Sequence, residues 1–225
     1  MSESGRCDSK YKSAKALQSM RGKLESVALK QGEILCEADA DTAYVYFPNG
    51  SLISLLAIAG GKPLEVRMIG REGMLGFSLA LGVAKSPARA LVQGSGSAMR
   101  MSAAAFRSEL KRDRWLRQSA ARSAHASMAT AMQLAACNNA HVLVERCARW
   151  LLMTGDCVGT DAFFLTQGFL AQMLGVRRTG VTEAATALQA RGLITYRRGA
   201  IVIVKRDELA AVSCGCYARI RDLPR

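Results

Sequence analysis

"LAQMLGVRRTGVTEAATALQARGLITYRRG", residues 170–199, places two helix-patterned runs on either side of Gly175-Val176. It closes on two strand-like pieces around Arg197-Arg198-Gly199. Thr166 is a suitable N-cap for a first helix over Gln167–Leu174, with Leu170, Ala171 and Leu174 facing inward. A second helix is predicted from about Arg178 to Ala190, with Val181, Ala184, Ala185 and Leu188 inward. A helix-turn-helix needs a small residue where its helices cross, glycine at a turn that often takes positive φ, and an apolar residue six positions further on. Ala171, Gly175 and Val181 meet those needs at the required spacing, and Val176 is expected to pack under the turn. The following "GLITYRRGAIVIV" reads as a β-hairpin, the wing of a winged helix, with Arg197-Arg198-Gly199 at its tip.

The two basic pairs give this module a chemistry. Arg177, Arg178, Thr179, Thr182 and Glu183 lie on the outward face of the second helix and are the expected base-facing residues. A recognition helix enters the major groove with its N-terminal residues toward the bases. There arginine pairs with guanine, threonine meets a thymine methyl and glutamate accepts from cytosine. Thr166, Gln167, Thr186, Arg197 and Arg198 are the expected phosphate contacts, which position a module without reading sequence. From His141 to Arg206, nine Lys/Arg against four Asp/Glu leave a surplus of +5, expected around that groove-facing surface.

The whole chain shares this balance. Its 225 residues carry 31 Lys/Arg against 18 Asp/Glu, a net charge of +13 that favours a polyanionic partner. Half the residues are hydrophobic and 22% are charged, which fits a globular protein with room for one large or two modest domains. No apolar run is long enough to span a membrane, and "MSESGRCDSKYKSAKAL" lacks the apolar core of a signal peptide. Seven scattered cysteines, an odd number, read as free thiols in a reducing cytoplasm. No Ser/His/Asp, Cys/His or Walker-type arrangement appears, so no catalytic residue, cofactor or metal ligand set is assigned and an enzyme is not expected.

Upstream of the module the pattern changes twice. From Leu24 to about Met101, apolar runs such as "AYVYF", "SLISLLAIA" and "LEVRMI" are broken by "PNG", "AGGKP" and "GREG". These predict a compact all-β barrel, with Pro48-Asn49-Gly50 and Gly60-Gly61 as hairpin turns. From Ser102 to Cys137 there is neither Gly nor Pro, and a long helix is predicted. Its stripe of Leu116, Ala120, Ala124, Met128, Met132 and Ala135 invites a second copy of the same helix. Asn138-Asn139 is the expected break. A further helix, with Val142, Val144, Cys147, Trp150 and Leu151 inward, is expected to stop at Gly155. The fold class is therefore α+β. A polar tail over 1–23 precedes a β-barrel sensor domain over 24–106. A dimerisation helix over 107–137 and a winged helix-turn-helix DNA-binding domain over 138–225 follow.

That order resembles the Crp/Fnr superfamily of bacterial transcription regulators, over Leu24 to about Tyr217. "VYFPNGSLISLLAIAGGKPLEVRMIGREGMLG" is similar to the family's cyclic-nucleotide-binding-type barrel. The resemblance implies a cytoplasmic homodimer on a two-fold symmetric operator, with double-stranded DNA, a second copy and RNA polymerase as partners and no membrane. It also marks departures. Phe77 stands where cyclic-nucleotide binders have a glutamate, and Ala88-Arg89 where they have Arg-Ser or Arg-Thr. Arg89 is left as the one effector-binding candidate, and binding of cAMP or cGMP is not expected. Thr179 and Glu183 stand where the family often has Glu and Arg, whereas Arg178 matches, so the operator differs from those of better-known members. Cys7 and Cys36 alone in the N-terminal half cannot hold an iron–sulfur cluster. Cys214-x-Cys216 is an incomplete metal site, Cys137 and Cys147 read as small core residues, and His125 and His141 lack a partner at useful spacing. The alternative function is a ligand- or redox-sensing signalling protein whose winged module makes protein contacts.

Overall fold

A computed structural model describes Met20 and residues 22–224. The rest of the expected polar tail, with Cys7, lies outside the described residues. The chain divides into two compact units. Of the described residues, one comprises Met20 and residues 22–57, 67–128 and 224, the other residues 58–66 and 129–223.

The N-terminal half is built on antiparallel strands, of which residues 58–66, the tip of the β4–β5 hairpin, count with the second unit: β1 (Glu25–Leu29), β2 (Ile34–Cys36), β3 (Tyr44–Asn49), β4 (Leu52–Ala59), β5 (Lys62–Ile69), β6 (Arg89–Gly94) and β7 (Gly96–Ser102). They pair as two sheets, in the orders β1-β7-β3 and β2-β6-β4-β5. Gly60-Gly61 forms the expected hairpin turn: both residues have positive φ, as a two-residue turn matched to strand twist requires. Pro48-Asn49-Gly50 does not. Pro48 and Asn49 continue β3, and at Gly50 the chain passes to β4 in the other sheet. The corner is tight because Gly96 lies against it. A Cβ on Gly96 would sit 2.5 Å from the carbonyl carbon and oxygen of Gly50. Backbone cannot yield as a side chain does, so Gly96→Ala is expected to cost about 1–3 kcal/mol. A thermal-unfolding midpoint equal to that of the unmodified chain would contradict this.

Met20, Val45, Met74, Leu79, Met101, Phe106, Leu110, Leu116 and Ala120 form the core of this unit. The expected tail thus ends in the core at Met20, and Lys23 beside it pairs with buried Glu109. The segment predicted as one helix is two: α1 (Ala103–Arg112) and α2 (Arg114–Ala140). Asp113 takes extended backbone dihedrals, and its carboxylate accepts from the Leu116 backbone N–H at 3.0 Å, capping α2. A capping carboxylate ends one helix and starts another without Gly or Pro. At its far end α2 runs through Asn138-Asn139 instead of breaking there. Its 27 residues span about 40 Å. The predicted stripe divides: Leu116, Ala120 and Ala124 are buried within the chain, while Met128 and Met132 are 55% and 65% exposed.

In the second unit, α3 (Leu143–Val158) is buried on every side from Arg146 to Gly155, as expected of a helix other elements surround. It does not stop at Gly155. That glycine is helical, its missing Cβ leaving room for Arg206, Thr160 and Asp161, and the stop is Gly159, with φ of 76°. Val142, assigned to the buried face, is the exposed N-cap residue. Helices α4 (Gln167–Leu174), α5 (Arg178–Ala190), α6 (Arg206–Val212) and α7 (Cys216–Arg221) complete the unit, with a sheet of order β8-β10-β9. Its strands are β8 (Ala162–Phe164), β9 (Ile194–Arg197) and β10 (Ala200–Ile203). Among the described residues, no helix is long and apolar enough to cross a membrane.

Candidate nucleic-acid interface

Helices α4 and α5 form the helix-turn-helix the spacing predicts. Thr166 caps α4 by accepting from the Phe169 N–H at 3.2 Å. Gly175 has φ of 67° and its N–H closes the helix end. Val176 is half-buried under the turn, and Met173, unassigned from the sequence, is buried with Leu170, Ala171 and Leu174. On α5, Val181, Ala184, Ala185 and Leu188 are buried. The opposite face carries Arg177, Arg178, Thr179, Thr182, Glu183 and Thr186, all exposed. Burial of one stripe fixes the rotation of the helix and hence the residues it presents to solvent.

Two of the named residues hold each other. The Thr182 hydroxyl lies 2.9 Å from Oε1 of Gln167 and 3.1 Å from the carbonyl of Arg178, so it links the N-terminal turns of α4 and α5. Gly180 lets α3 approach α5: a Cβ there would lie 2.9 Å from Cδ2 of Leu143. Arg146 also fastens the motif, its guanidinium donating to the Leu174 carbonyl at 2.6 Å.

The wing is a two-residue hairpin turn at Arg198-Gly199, with φ of 51° and 87°. Arg197 and Arg198 are both exposed. A strand with no counterpart in the sequence pattern, β8, pairs with β10 as the third strand and lays Phe164 beside Gly199. A run of three residues, too short to mark a strand by pattern, becomes one because β10 offers an edge.

The surplus of charge is placed differently from expectation. Arg146 and Arg149 are buried. Arg206 pairs with Asp156 and Asp161, and Tyr217 donates to Asp156 at 3.0 Å. Arg177, Arg178, Arg191, Arg197 and Arg198 remain exposed, on the helix-turn-helix and wing.

In the first unit, a cleft lined by Thr42, Tyr44, Leu75, Phe77, Ser78 and Ser86 among others occupies the sheet-rich region. Arg89, the effector candidate, does not line it and instead donates from Nε to Glu37 at 2.7 Å.

A group absent from the sequence reading is Cys137, His141, Cys214 and Cys216, whose donor atoms all lie within 4.8 Å of one another. His141 therefore does have ligand-type partners, and Cys137 is buried as expected, beside Cys214 and Cys216. The contact with Cys214 holds the Cys137 thiol well below the usual thiol range despite burial, with Arg149 adding to the effect. The same contact, with burial, pushes Cys214 up. Cys147, on the same unit, is pushed up to about 12 by burial. Only the i, i+4 spacing of Cys137 and His141 hinted at this cluster; the pairing with 214–216 is tertiary.

Comparison with known proteins agrees with the geometry. Residues 145–212 match the family described as the Crp-like helix-turn-helix domain. No curated protein matches the sequence significantly. Among solved structures, FixK2 from Bradyrhizobium japonicum superposes with a TM-score of 0.73 at 14% identity, covering 85% of this chain and 98% of its own. TTHA1359, a Crp/Fnr-family transcriptional regulator from Thermus thermophilus, gives 0.66 at 18% identity, covering 84% and 98%. The c-di-GMP-responsive global regulator CLP from Xanthomonas campestris gives 0.68 at 13% identity, again covering 84% and 98%. Residues 145–212 thus match the Crp-like helix-turn-helix domain, in a chain whose fold is similar to those of solved Crp/Fnr-family regulators.

Proposed function

We propose that this protein regulates transcription by binding a two-fold symmetric DNA operator as a homodimer. The observation that carries the reading is the polarity of α5. Its apolar stripe is buried, and its N-terminal turns present Arg177, Arg178, Thr179 and Glu183 to solvent. Those residue types read base edges in the major groove. Thr166, Gln167 and Thr186 flank them, and Arg197 and Arg198 on the wing supply backbone contacts. The Thr182–Gln167 hydrogen bond makes Thr182 a brace of the reading head as well as a member of it. Selection of bound DNA from a random pool is the test. A palindromic consensus is expected, and salt-sensitive retention with no sequence preference would defeat the reading.

Dimerisation is ascribed to α2. Met128 and Met132 stand exposed one turn apart, with Ala135 and Ala136 exposed in the next turn. Small and flexible apolar residues at i, i+4 spacing suit a second identical helix. Met132→Glu is expected to shift the chain toward monomer in sedimentation velocity and to weaken operator binding at the same time. An unchanged sedimentation coefficient would place the interface elsewhere. The effector is not cAMP or cGMP on this reading, since Phe77 lines the cleft where a ribose-binding carboxylate is needed and Arg89 is paired to Glu37. RNA polymerase is the further partner such a regulator would meet.

A further inference from the structure

Four soft or borderline ligands meet in the second unit. Cys137 lies in the last turn of α2, and His141 follows one turn later, its N–H bonded to the Cys137 carbonyl at 3.2 Å. Residues four apart in helical conformation share a face. Cys214 and Cys216 come from the junction of α6 and α7, more than 70 residues away in sequence. Sγ of Cys137 is 3.4 Å from Sγ of Cys214, and Sγ of Cys216 is 3.8 Å from Nδ1 of His141. A tetrahedral zinc ion with bonds of about 2.3 Å to sulfur and 2.0 Å to nitrogen needs donors roughly 3.5–3.8 Å apart. Two of the pair distances are already in that neighbourhood. The three cysteines are buried and His141 is half-buried, so the donor set is largely shielded from water.

The charges around the cluster point the same way. Arg146 and Arg149 are 8% and 2% exposed, and the Nε atom of each lacks a hydrogen-bond partner. Among the described residues, neither forms an ion pair with a carboxylate. Two buried cations require compensation. Three thiolates and one divalent ion carry a net charge of −1, which would offset part of that buried positive charge. Gln133 already sits as an outer partner, its amide donating to Sγ of Cys216 at 3.1 Å. A simple disulfide between Cys137 and Cys214 would explain neither Cys216 and His141 nor the two guanidinium groups.

We propose that Cys137, His141, Cys214 and Cys216 bind one zinc ion in a closed structural site that fastens the α6–α7 junction to the end of α2. The inference stands whether or not the chain binds DNA. Arg146, whose guanidinium donates to the Leu174 carbonyl, lies on α3 in the same unit as the cluster.

The test uses the full chain, purified anaerobically without a histidine tag. Elemental analysis is expected to find one zinc per chain, unchanged in Cys36→Ala and reduced at least tenfold in Cys214→Ser and Cys216→Ser. Since those variants can lose metal by unfolding, cobalt(II) exchange supplies a second readout. The exchanged protein should show thiolate-to-cobalt charge transfer with a tetrahedral ligand-field pattern, and His141→Cys should keep the ion while altering that pattern. Absence of stoichiometric zinc after anaerobic addition, iron in its place, or a Cys137–Cys214 disulfide in the protein as isolated would each overturn the proposal. So would a cobalt spectrum indifferent to His141→Cys.

Discussion

Trp150→Ala is expected to lower the stability of the C-terminal unit by about 3–5 kcal/mol, more than any other single truncation considered for it. Trp150 is 1% exposed at the centre of α3, the helix against which α5, α6 and α7 all pack. Its removal leaves a cavity that three helices would have to close at once, and helices already seated on other neighbours relax little. The indole also donates to Oε1 of Glu65 at 2.8 Å, and that carboxylate is itself buried. Trp150→Phe separates the two contributions. It keeps most of the ring volume and loses the donor, so a smaller loss, on the order of 1–2 kcal/mol, is expected. Denaturant unfolding of the full chain followed by circular dichroism distinguishes the variants. A Trp150→Ala chain within about 0.5 kcal/mol of the parent would show that α3 does not organise the unit.

Arg178→Ala should act on recognition without touching stability. Arg178 is exposed at the first turn of α5, and its backbone carbonyl, not its guanidinium, is engaged by Thr182. Loss of a bidentate pair with guanine removes about 1–3 kcal/mol of discrimination, roughly 5- to 150-fold at one base pair. The selected consensus should relax at that pair in each half-site and nowhere else. Arg197→Ala is the contrast. A phosphate contact carries no sequence information, so affinity should fall evenly across sequences, and the slope of log K against log salt should shrink by about 1. Equal effects of the two changes on every competitor sequence would mean that α5 does not read bases.

The helix-turn-helix was legible because its determinants are local. Thr166, Gly175 and the stripe Val181, Ala184, Ala185 and Leu188 each act within a few residues of their own position. Helix periodicity and one positive-φ turn translate such spacing directly into geometry. The wing was legible for the same reason, since Arg198-Gly199 is a two-residue turn between alternating strands. Features that depended on distant partners were not. Asp113 broke the long helix through a side-chain cap that a search for Gly and Pro passes over. Pro48-Asn49-Gly50 read as a hairpin, yet β3 and β4 belong to different sheets, a choice made by their pairing with β7 and β6.

By itself, then, the sequence determined the succession of a sheet-rich region, long helix and winged helix-turn-helix, the inward and outward faces of α4 and α5, and the basic character of the surface they present. These follow from periodicity, capping and turn chemistry over short spans. Tertiary structure alone decided where the remaining charges and thiols went. It buried Arg146 and Arg149, paired Arg206 with Asp156 and Asp161, and drew Cys214 and Cys216 to Cys137 and His141. The physical reason is that charge compensation and ligand geometry depend on distances in space between residues far apart along the chain, and no local pattern encodes those distances.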